Sequence, residues 1–301
     1  MARCPAACQN STSVTANHYR PLRAAALLAL AACATAPARD AAPPAPAEHP
    51  LLQSVLWLQT SAEYRAAAEQ AFAGAVASLD RALADSTWTA ELGQTGDFAA
   101  LPPAVIVDVD ETMLDNSPSE ARLIVSGGEF NPADWAAWVE EAAAPPVPGA
   151  LEFAREADRR GVTIFYVTNR DGPAESATRR NLQRAGFPLP EDPDVVLLRG
   201  ERPEWTSDKT SRRAHVAAGH RVLLVIGDDF NDFVLARLPL EERDDLVRRH
   251  ADRWGERWFI LPNPMYGSWE AAAIGPGEDL SDEEERARKL DRLRTEGAAA
   301  P

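Results

Sequence analysis

The sequence predicts an α/β fold, a doubly wound arrangement in which helices cover both faces of a parallel β-sheet. Two observations carry this prediction: short apolar runs rich in β-branched residues recur along the chain, and amphipathic helical patterns separate them. A strand buried on both faces needs a continuous apolar run, whereas a strand with one wet face alternates. Five runs of this kind are present, at 104–108, 162–167, 195–198, 222–226 and 258–261.

The helical patterns precede and separate these runs. From Leu51 to Ala84 the apolar residues recur at steps of three and four, which predicts two amphipathic helices. A short helix is predicted after Asn131-Pro132, and a charged helix from Glu278 onward in the tail 276–301. The remaining helices are predicted at 149–160, 174–185, 208–218 and 230–253. Alternation of strand and helix in this order is typical of a Rossmann-like sheet.

The composition excludes several classes of protein. The chain has 301 residues, 45% of them hydrophobic, which is ordinary for a globular protein and unlike a disordered or collagen-like chain. With 31 Lys+Arg against 46 Asp+Glu, the formal charge is −15, and a surface this acidic repels the phosphate backbone of a nucleic-acid polymer. A small phosphorylated ligand stays compatible, because a metal ion and a lysine can reverse the charge within one cleft.

The N-terminal segment is typical of an export signal. The first 33 residues contain three arginines and no acidic residue, and the apolar run 24–32 is too short to span a bilayer. Because Cys33 follows this run directly, we expect 1–33 to be a lipoprotein signal peptide and Cys33 to be acylated. The alternative is an ordinary secretory signal cleaved within 34–38. The Pro- and Ala-rich stretch 34–50 is predicted to be a tether. The sequence has no cysteine after Cys33, so the part that follows it cannot form an internal disulfide.

Polar side chains stand where several predicted strands end. In a doubly wound sheet the ligand site lies beyond the carboxyl ends of the strands. Four carboxylates at neighbouring strand ends would repel one another unless a cation neutralised them, and Mg²⁺ prefers oxygen ligands of this kind. No cluster of His and Cys competes for a transition metal. The side chains expected at this edge are Asp108, Asp110, Thr112, Thr168, Asn169, Asp228 and Asp232.

The order of these residues resembles a known superfamily. Asp108-x-Asp110-x-Thr112, then Thr168, Lys209 and Gly227-Asp228-x-x-x-Asp232, resembles the four motifs of the haloacid dehalogenase superfamily. Longer segments resemble its class C nonspecific acid phosphatases, and among them the outer-membrane lipoprotein e branch that acts on 5′-nucleotides. These segments are 56–64, 108–118, 134–139, 148–150, 166–170 and 261–270, within a resemblance that covers 50–275.

The resemblance implies a Mg²⁺-dependent acid phosphatase that hydrolyses phosphomonoesters through an aspartyl-phosphate. The phosphatase core would be 99–275, and the insert 116–148 together with the N-terminal helical segment 51–98 would form a small cap beside the cleft. Asp108 would attack phosphorus, which divides one difficult displacement into two easier ones. Asp110, two residues further along an extended strand end, points to the same side and would exchange protons with the leaving oxygen and with water.

The resemblance also implies the ligands of the metal and of the substrate. Mg²⁺ would be held by the Asp108 carboxylate, the Asp110 carbonyl and Asp228, while Asp232 orients a metal-bound water or Lys209; Asp229 is a weaker ligand candidate. The substrate-binding residues would be Thr112, Thr168, Asn169 and Lys209 at the phosphoryl group, with Trp135 and Tyr266 sandwiching a flat ring. Trp138 and Trp269 are assigned to packing.

One position departs from the family pattern, and three functions stay open. After Asp115-Asn116-Ser117-Pro118 the related sequences usually carry an aromatic residue, whereas this chain has Ser119, so one wall of the substrate pocket is in doubt.

The leading hypothesis is a phosphatase of small phosphomonoesters, anchored at the outer membrane through Cys33 and with an acidic pH optimum. A phosphotransferase on the same core would need a larger lid to exclude water. A lipoprotein that binds a ligand without turnover is the third hypothesis.

Overall fold

The computed structural model describes residues 49–235, 238–276 and 280–295. The expected signal peptide 1–33, its Cys33 and nearly all of the tether 34–50 lie outside the described residues. None of the helices in the described ranges combines the length and the apolar character that a membrane crossing requires.

A five-stranded parallel sheet forms the centre of the fold, as predicted. Its strands run in the order β3-β2-β1-β4-β5, so the chain moves outward from β1 in one direction and then returns to the other side of it. The switch point between β1 and β4 is where a doubly wound sheet opens a crevice for a ligand. The strands are β1 Pro103–Val107, β2 Thr163–Asp171, β3 Val196–Arg199, β4 Arg221–Gly227 and β5 Trp258–Ile260.

The register of the sheet brings the polar strand ends together. Val107, the last residue of β1, is paired with Tyr166 of β2 and with Ile226 of β4. Asp108 therefore emerges beside Asp228 on one side and Thr168 on the other. Every residue of β4 is buried, which explains the uninterrupted apolar run 222–226 that follows Arg221.

Ten α-helices surround the sheet in the described ranges. They are α1 Leu52–Thr60, α2 Ala62–Ala84, α3 Ser117–Ser126, α4 Pro132–Glu141, α5 Ala150–Arg159, α6 Glu175–Ala185, α7 Thr210–Gly219, α8 Leu240–Arg249, α9 Ser268–Ile274 and α10 Asp282–Asp291. Two of the boundaries follow from capping. Ser61 has an extended backbone and accepts a hydrogen bond from Tyr64 N, which ends α1 and starts α2; Asn131 caps α4 through Ala133 N, ahead of Pro132.

The N-terminal segment 51–98 divides between two parts of the fold, which differs from its expected place on the cap side. α1 packs against α3 of the insert, as expected of a cap element. α2 instead packs against α5, β4 and β5, with Ala68, Phe72 and Leu79 buried in the main core. The apolar face of α2 packs on the sheet, so this helix belongs to the layer of helices that covers the sheet.

The predicted helix 230–253 is wrong as a single element. A single 3₁₀ turn, Phe230–Asp232, follows β4, and α8 starts only after Pro239. Proline has no N–H and its ring clashes with the preceding turn, so a helix cannot run through this position unbroken. Helices α3 and α9 were not predicted, whereas the charged tail helix is present as α10, capped by Ser281 and packed on α9.

Candidate active site

Three carboxylates, two of them buried and that of Asp228 half-buried, meet at the switch point of the sheet. Asp108 follows β1, Asp228 follows β4, and Asp232 ends the 3₁₀ turn after β4. One carboxylate oxygen from each lies within 4.8 Å of the others. Gly227 allows this approach, because a Cβ at that position would collide with the Asp232 carboxylate.

Lys209 neutralises part of this charge. It precedes α7, and its buried Nζ contacts the Asp108 carboxylate and lies 2.6 Å from Asp232 Oδ1. Burial alone would lower the pKa of Lys209, but the two adjacent carboxylates raise it above its usual value, so the ammonium group keeps its charge. The structure thus brings Lys209, Asp108 and Asp232 together.

One ammonium group does not offset three carboxylates. Burial, opposed by Lys209 and reinforced by Asp232 and Asp110, raises the pKa of Asp108 to about 7. Burial and the nearby Asp108 and Asp232 raise the pKa of Asp228 well above its usual value. A divalent cation would remove this repulsion, and the donor set, which is made of oxygens alone, suits Mg²⁺. The residues present therefore fit a hard divalent cation.

Asp228 is oriented by two further residues. Thr112 Oγ1 donates to Asp228 Oδ1 at 3.1 Å, and Asn263 Nδ2 donates to Asp228 Oδ2 at 2.9 Å. Thr112 is fully buried and does not line the cavity, which differs from the expected contact with substrate. Its hydroxyl instead positions a candidate metal ligand. Asn263 belongs to a segment that resembles the family, but no role was predicted for it.

Asp110 occupies a different environment from Asp108. Arg170 Nη2 and Nε donate to Asp110 Oδ1 at 2.8 and 3.0 Å, and Asn116 Nδ2 donates to the same oxygen at 2.8 Å. Thr168 Oγ1 lies 3.3 Å from Asp110 Oδ2. Sequence reasoning gave no role to Arg170 or Asn116. Their positions in the sequence could have indicated a role, since Arg170 ends the polar run after a predicted strand and Asn116 follows the Asp-x-Asp turn.

Thr168 is directed at Asp110 rather than at the cavity. It is fully buried, its hydroxyl accepts from Arg170 N at 3.0 Å, and its carbonyl accepts from Arg212. The expected donation to a phosphoryl oxygen is therefore not the contact observed. Asn169 does line the cavity, and Arg212 Nη2 holds its Oδ1 at 2.6 Å.

The turn after Asp110 fastens the insert to the active site. Glu111 adopts a left-handed backbone with φ 57°, and its carboxylate accepts from Asn116 N at 2.7 Å. Asn116 Oδ1 in turn accepts from Trp138 Nε1 at 2.8 Å. Trp138 is buried, as its predicted packing role requires, and it also ties α4 to the turn. A strained turn over-determined by hydrogen bonds is a common feature of functional sites.

Asp229 has a structural role. Its Oδ1 accepts from Asn231 N at 2.8 Å and from Ser268 Oγ at 2.6 Å, which caps the 3₁₀ turn and holds the start of α9. Its backbone N–H donates to Asp232 Oδ2 at 2.9 Å. The carboxylate and the backbone N–H of Asp229 are thus both engaged within the protein.

The carboxylates form one part of a cavity of about 600 Å³, a size suited to a small-molecule ligand. Trp135 and Tyr266, the two aromatic residues expected at the substrate, both line it. The Arg170 guanidinium lies 5.7 Å from the centre of the Trp135 ring. Trp269, expected to pack, is instead 42% exposed and donates to Tyr266 O at 3.3 Å. The apolar part of the cavity wall consists of Leu51, Phe130, Trp135, Met265 and Tyr266.

Comparison with known proteins agrees with this geometry. The chain resembles the class C acid phosphatase from Bacillus anthracis, with 32% identity, a TM-score of 0.71, and coverage of 81% of this chain and 96% of that one. The tungstate-bound structure of the same enzyme matches with a TM-score of 0.70, at the same identity and coverage.

Two plant proteins are also similar. Acid phosphatase 1 from Solanum lycopersicum is 31% identical over 165 residues, which are 54% of this chain and 57% of that protein. The stem 31 kDa glycoprotein from Glycine max is 29% identical over 168 residues, 54% of this chain and 58% of that protein. This chain thus spans less than two thirds of the length of either plant relative.

The sequence pattern of one protein family, the HAD superfamily subfamily IIIB acid phosphatases, matches residues 9–269. This range includes every residue of the site described above. Because this match covers most of the sequence and the fold agrees with that of a solved class C acid phosphatase, the chain belongs to the HAD superfamily, subfamily IIIB, the acid phosphatases.

Proposed function

We propose that this protein is a Mg²⁺-dependent phosphomonoesterase that acts on nucleoside 5′-monophosphates through an aspartyl-phosphate at Asp108. The observation that carries the proposal is the contrast between two aspartates that line one cavity. Asp108 is buried against Lys209, whereas Asp110 is held by Arg170 and Asn116. Two carboxylates in different environments can take different roles, one as nucleophile and one as proton carrier.

The reaction balances with these two groups. A carboxylate oxygen of Asp108 forms a bond to phosphorus while the bond from phosphorus to the leaving oxygen breaks, and Asp110 gives its proton to that oxygen. Asp110 then takes a proton from the water that attacks the aspartyl-phosphate. This second step releases inorganic phosphate and restores Asp108.

Several residues position these groups. Lys209 holds Asp108 and Asp232 in place and offsets the negative charge of an incoming phosphoryl group. Arg170, Asn116 and Thr168 fix the orientation of Asp110, which faces the cavity with its side chain 17% exposed. A proton carrier must stay within hydrogen-bond reach of the reacting oxygen, so these contacts act on the rate through Asp110.

The metal would be held by the carboxylates of Asp108 and Asp228 and by the carbonyl of Asp110. When bound, Mg²⁺ supplies positive charge between the nucleophile and the phosphoryl oxygens. Thr112 and Asn263 keep Asp228 oriented toward this place.

The substrate preference rests on the aromatic residues of the cavity. Trp135 on α4 and Tyr266 ahead of α9 both line it, and a flat ring between them would be bound by stacking.

We further propose that Cys33 carries a lipid anchor that holds the enzyme at the outer membrane. Nucleotides must lose their phosphate before uptake as nucleosides, and an enzyme at this location would serve that purpose.

The test is phosphate release from AMP, GMP, CMP, nicotinamide mononucleotide and p-nitrophenyl phosphate. We expect turnover that stops on chelation, returns with Mg²⁺ and is lost in Asp108→Asn. The matched control is Asp171→Asn, because Asp171 also stands at a strand end but is exposed and pairs with Arg199. Folded protein that releases phosphate from none of these esters would overturn the proposal and favour phosphotransfer or binding without turnover.

A further inference from the structure

A buried acid without a partner lines the cavity. Glu120, on α3 of the insert, is 6% exposed and contributes to the cavity wall. Within the described ranges, no donor reaches its carboxylate. His49 is the nearest titratable group that acts on it, yet both ring nitrogens of His49 are engaged elsewhere: Nε2 by Gly128 O at 3.1 Å and Nδ1 by Leu51 N at 3.2 Å.

The other charged side chains of the wall have partners. Asp108 and Asp232 are paired with Lys209, Asp110 with Arg170, and Glu270 with Lys289. Burial raises the pKa of Glu120. The cavity that it lines is the remaining source of hydrogen-bond donors, either water or a ligand, so Glu120 differs from the acids that the fold itself satisfies.

From its position in the fold, Glu120 would contact the leaving group of a bound substrate and not its phosphoryl group. The phosphoryl end is built from residues that follow β1 and β4, whereas Glu120 belongs to the insert. Trp135 and Phe130 of the same insert line the cavity with it. A polar group beside apolar wall residues can fix the orientation of a ligand.

The chemistry of the ligand follows from these neighbours. Above its pKa the Glu120 carboxylate is ionised and only accepts hydrogen bonds, so at such a pH the ligand must present a donor. A flat ring that carries an amino group or a ring N–H satisfies this condition, and such a ring can stack on Trp135, which lines the same cavity.

We propose that Glu120 selects phosphomonoesters whose aromatic leaving group carries an N–H donor, by accepting a hydrogen bond from that donor. This inference rests on the proposed phosphatase function. It concerns a residue whose position directly follows the departure from the family pattern at Ser119.

The matched substrates are AMP, GMP and CMP, whose bases carry N–H donors, and purine riboside 5′-monophosphate, whose base has none. A hydrogen bond to a charged group is worth roughly 1.5–3 kcal/mol, so we expect the best of the three donors to exceed purine riboside 5′-monophosphate by about 10- to 150-fold in kcat/KM. Glu120→Ala should remove this preference. Glu129→Ala, at an exposed position of the same insert, should keep it.

Binding of the nucleosides separates this inference from the proposed function. Titration calorimetry with adenosine, guanosine, cytidine and purine riboside needs no turnover. We expect the wild-type protein to bind at least one donor-bearing nucleoside more tightly than purine riboside, and Glu120→Ala to bind them alike. Equal affinities in the wild-type protein overturn the inference, whether or not p-nitrophenyl phosphate is hydrolysed. Failure to hydrolyse any ester overturns the phosphatase proposal alone.

Discussion

Replacement of Arg170 by Met should lower phosphatase activity strongly, although Arg170 is not a proposed nucleophile or proton carrier. Its side chain is 1% exposed, and two of its nitrogens contact Asp110 Oδ1 at 2.8 and 3.0 Å. Charge-assisted hydrogen bonds are worth roughly 1.5–3 kcal/mol each. Asn116 and Thr168 would still hold Asp110, so we take the net loss to be about 2–3 kcal/mol, or about 30- to 150-fold in kcat/KM.

The assay is kcat/KM for p-nitrophenyl phosphate in wild type, Arg170→Met and Arg170→Lys, with thermal unfolding to establish that each variant is folded. Lysine keeps the charge but lacks the planar fork of donors, so its activity should lie between the other two. Arg180→Met is the control, because Arg180 is more exposed and pairs with Glu140 away from the cavity. Folded Arg170→Met with activity within about threefold of wild type would refute the reasoning.

Three further predictions concern the metal, its pH dependence and the aromatic residues. Thr112→Val should raise the Mg²⁺ concentration that gives half-maximal activity by about 10-fold or more, since an oriented ligand binds more tightly; an unchanged midpoint would contradict the role of Thr112. Burial raises the pKa of Asp108 and Asp228, so protons compete with the metal, and calorimetry should find that Mg²⁺ affinity falls as the pH falls below neutrality; a constant affinity would contradict this. Trp135→Ala and Tyr266→Ala should each raise KM for AMP by about 10-fold, in keeping with roughly 1–3 kcal/mol per stacked base; steady-state kinetics with an unchanged KM would assign these rings to packing.

The strands and the places of Asp108 and Asp110 were predictable because their signals are local. A buried parallel strand carries a continuous apolar run, and an Asp-x-Asp turn directly after it stands at the carboxyl end of the strand. Two helices were also predicted over 51–84, but their boundary was not; the structure places it at Ser61, which caps the second helix. Lys209 was identified through motif order alone, since an isolated lysine before a helix is usually exposed.

The contacts that tune the site were not predictable. Arg170 and Asp110 are 60 residues apart, and only the register of β1 and β2 brings them together. Thr112 and Thr168 were expected to face substrate, but each hydroxyl is buried against an aspartate, a direction that no sequence period encodes. Glu120 carries the charge of an exposed helix residue, and it is buried because α3 packs against α1.

The central claim, that Asp108 is the nucleophile, is tested most directly by trapping the intermediate. Wild-type protein turning over p-nitrophenyl phosphate with Mg²⁺ would be quenched in acid, digested and examined by mass spectrometry. We expect a phosphoryl group on the peptide that contains Asp108, and we expect neither this modification nor turnover in Asp108→Asn. Turnover that persists in the folded Asp108→Asn protein, or a phosphoryl group trapped on another residue, would contradict the account.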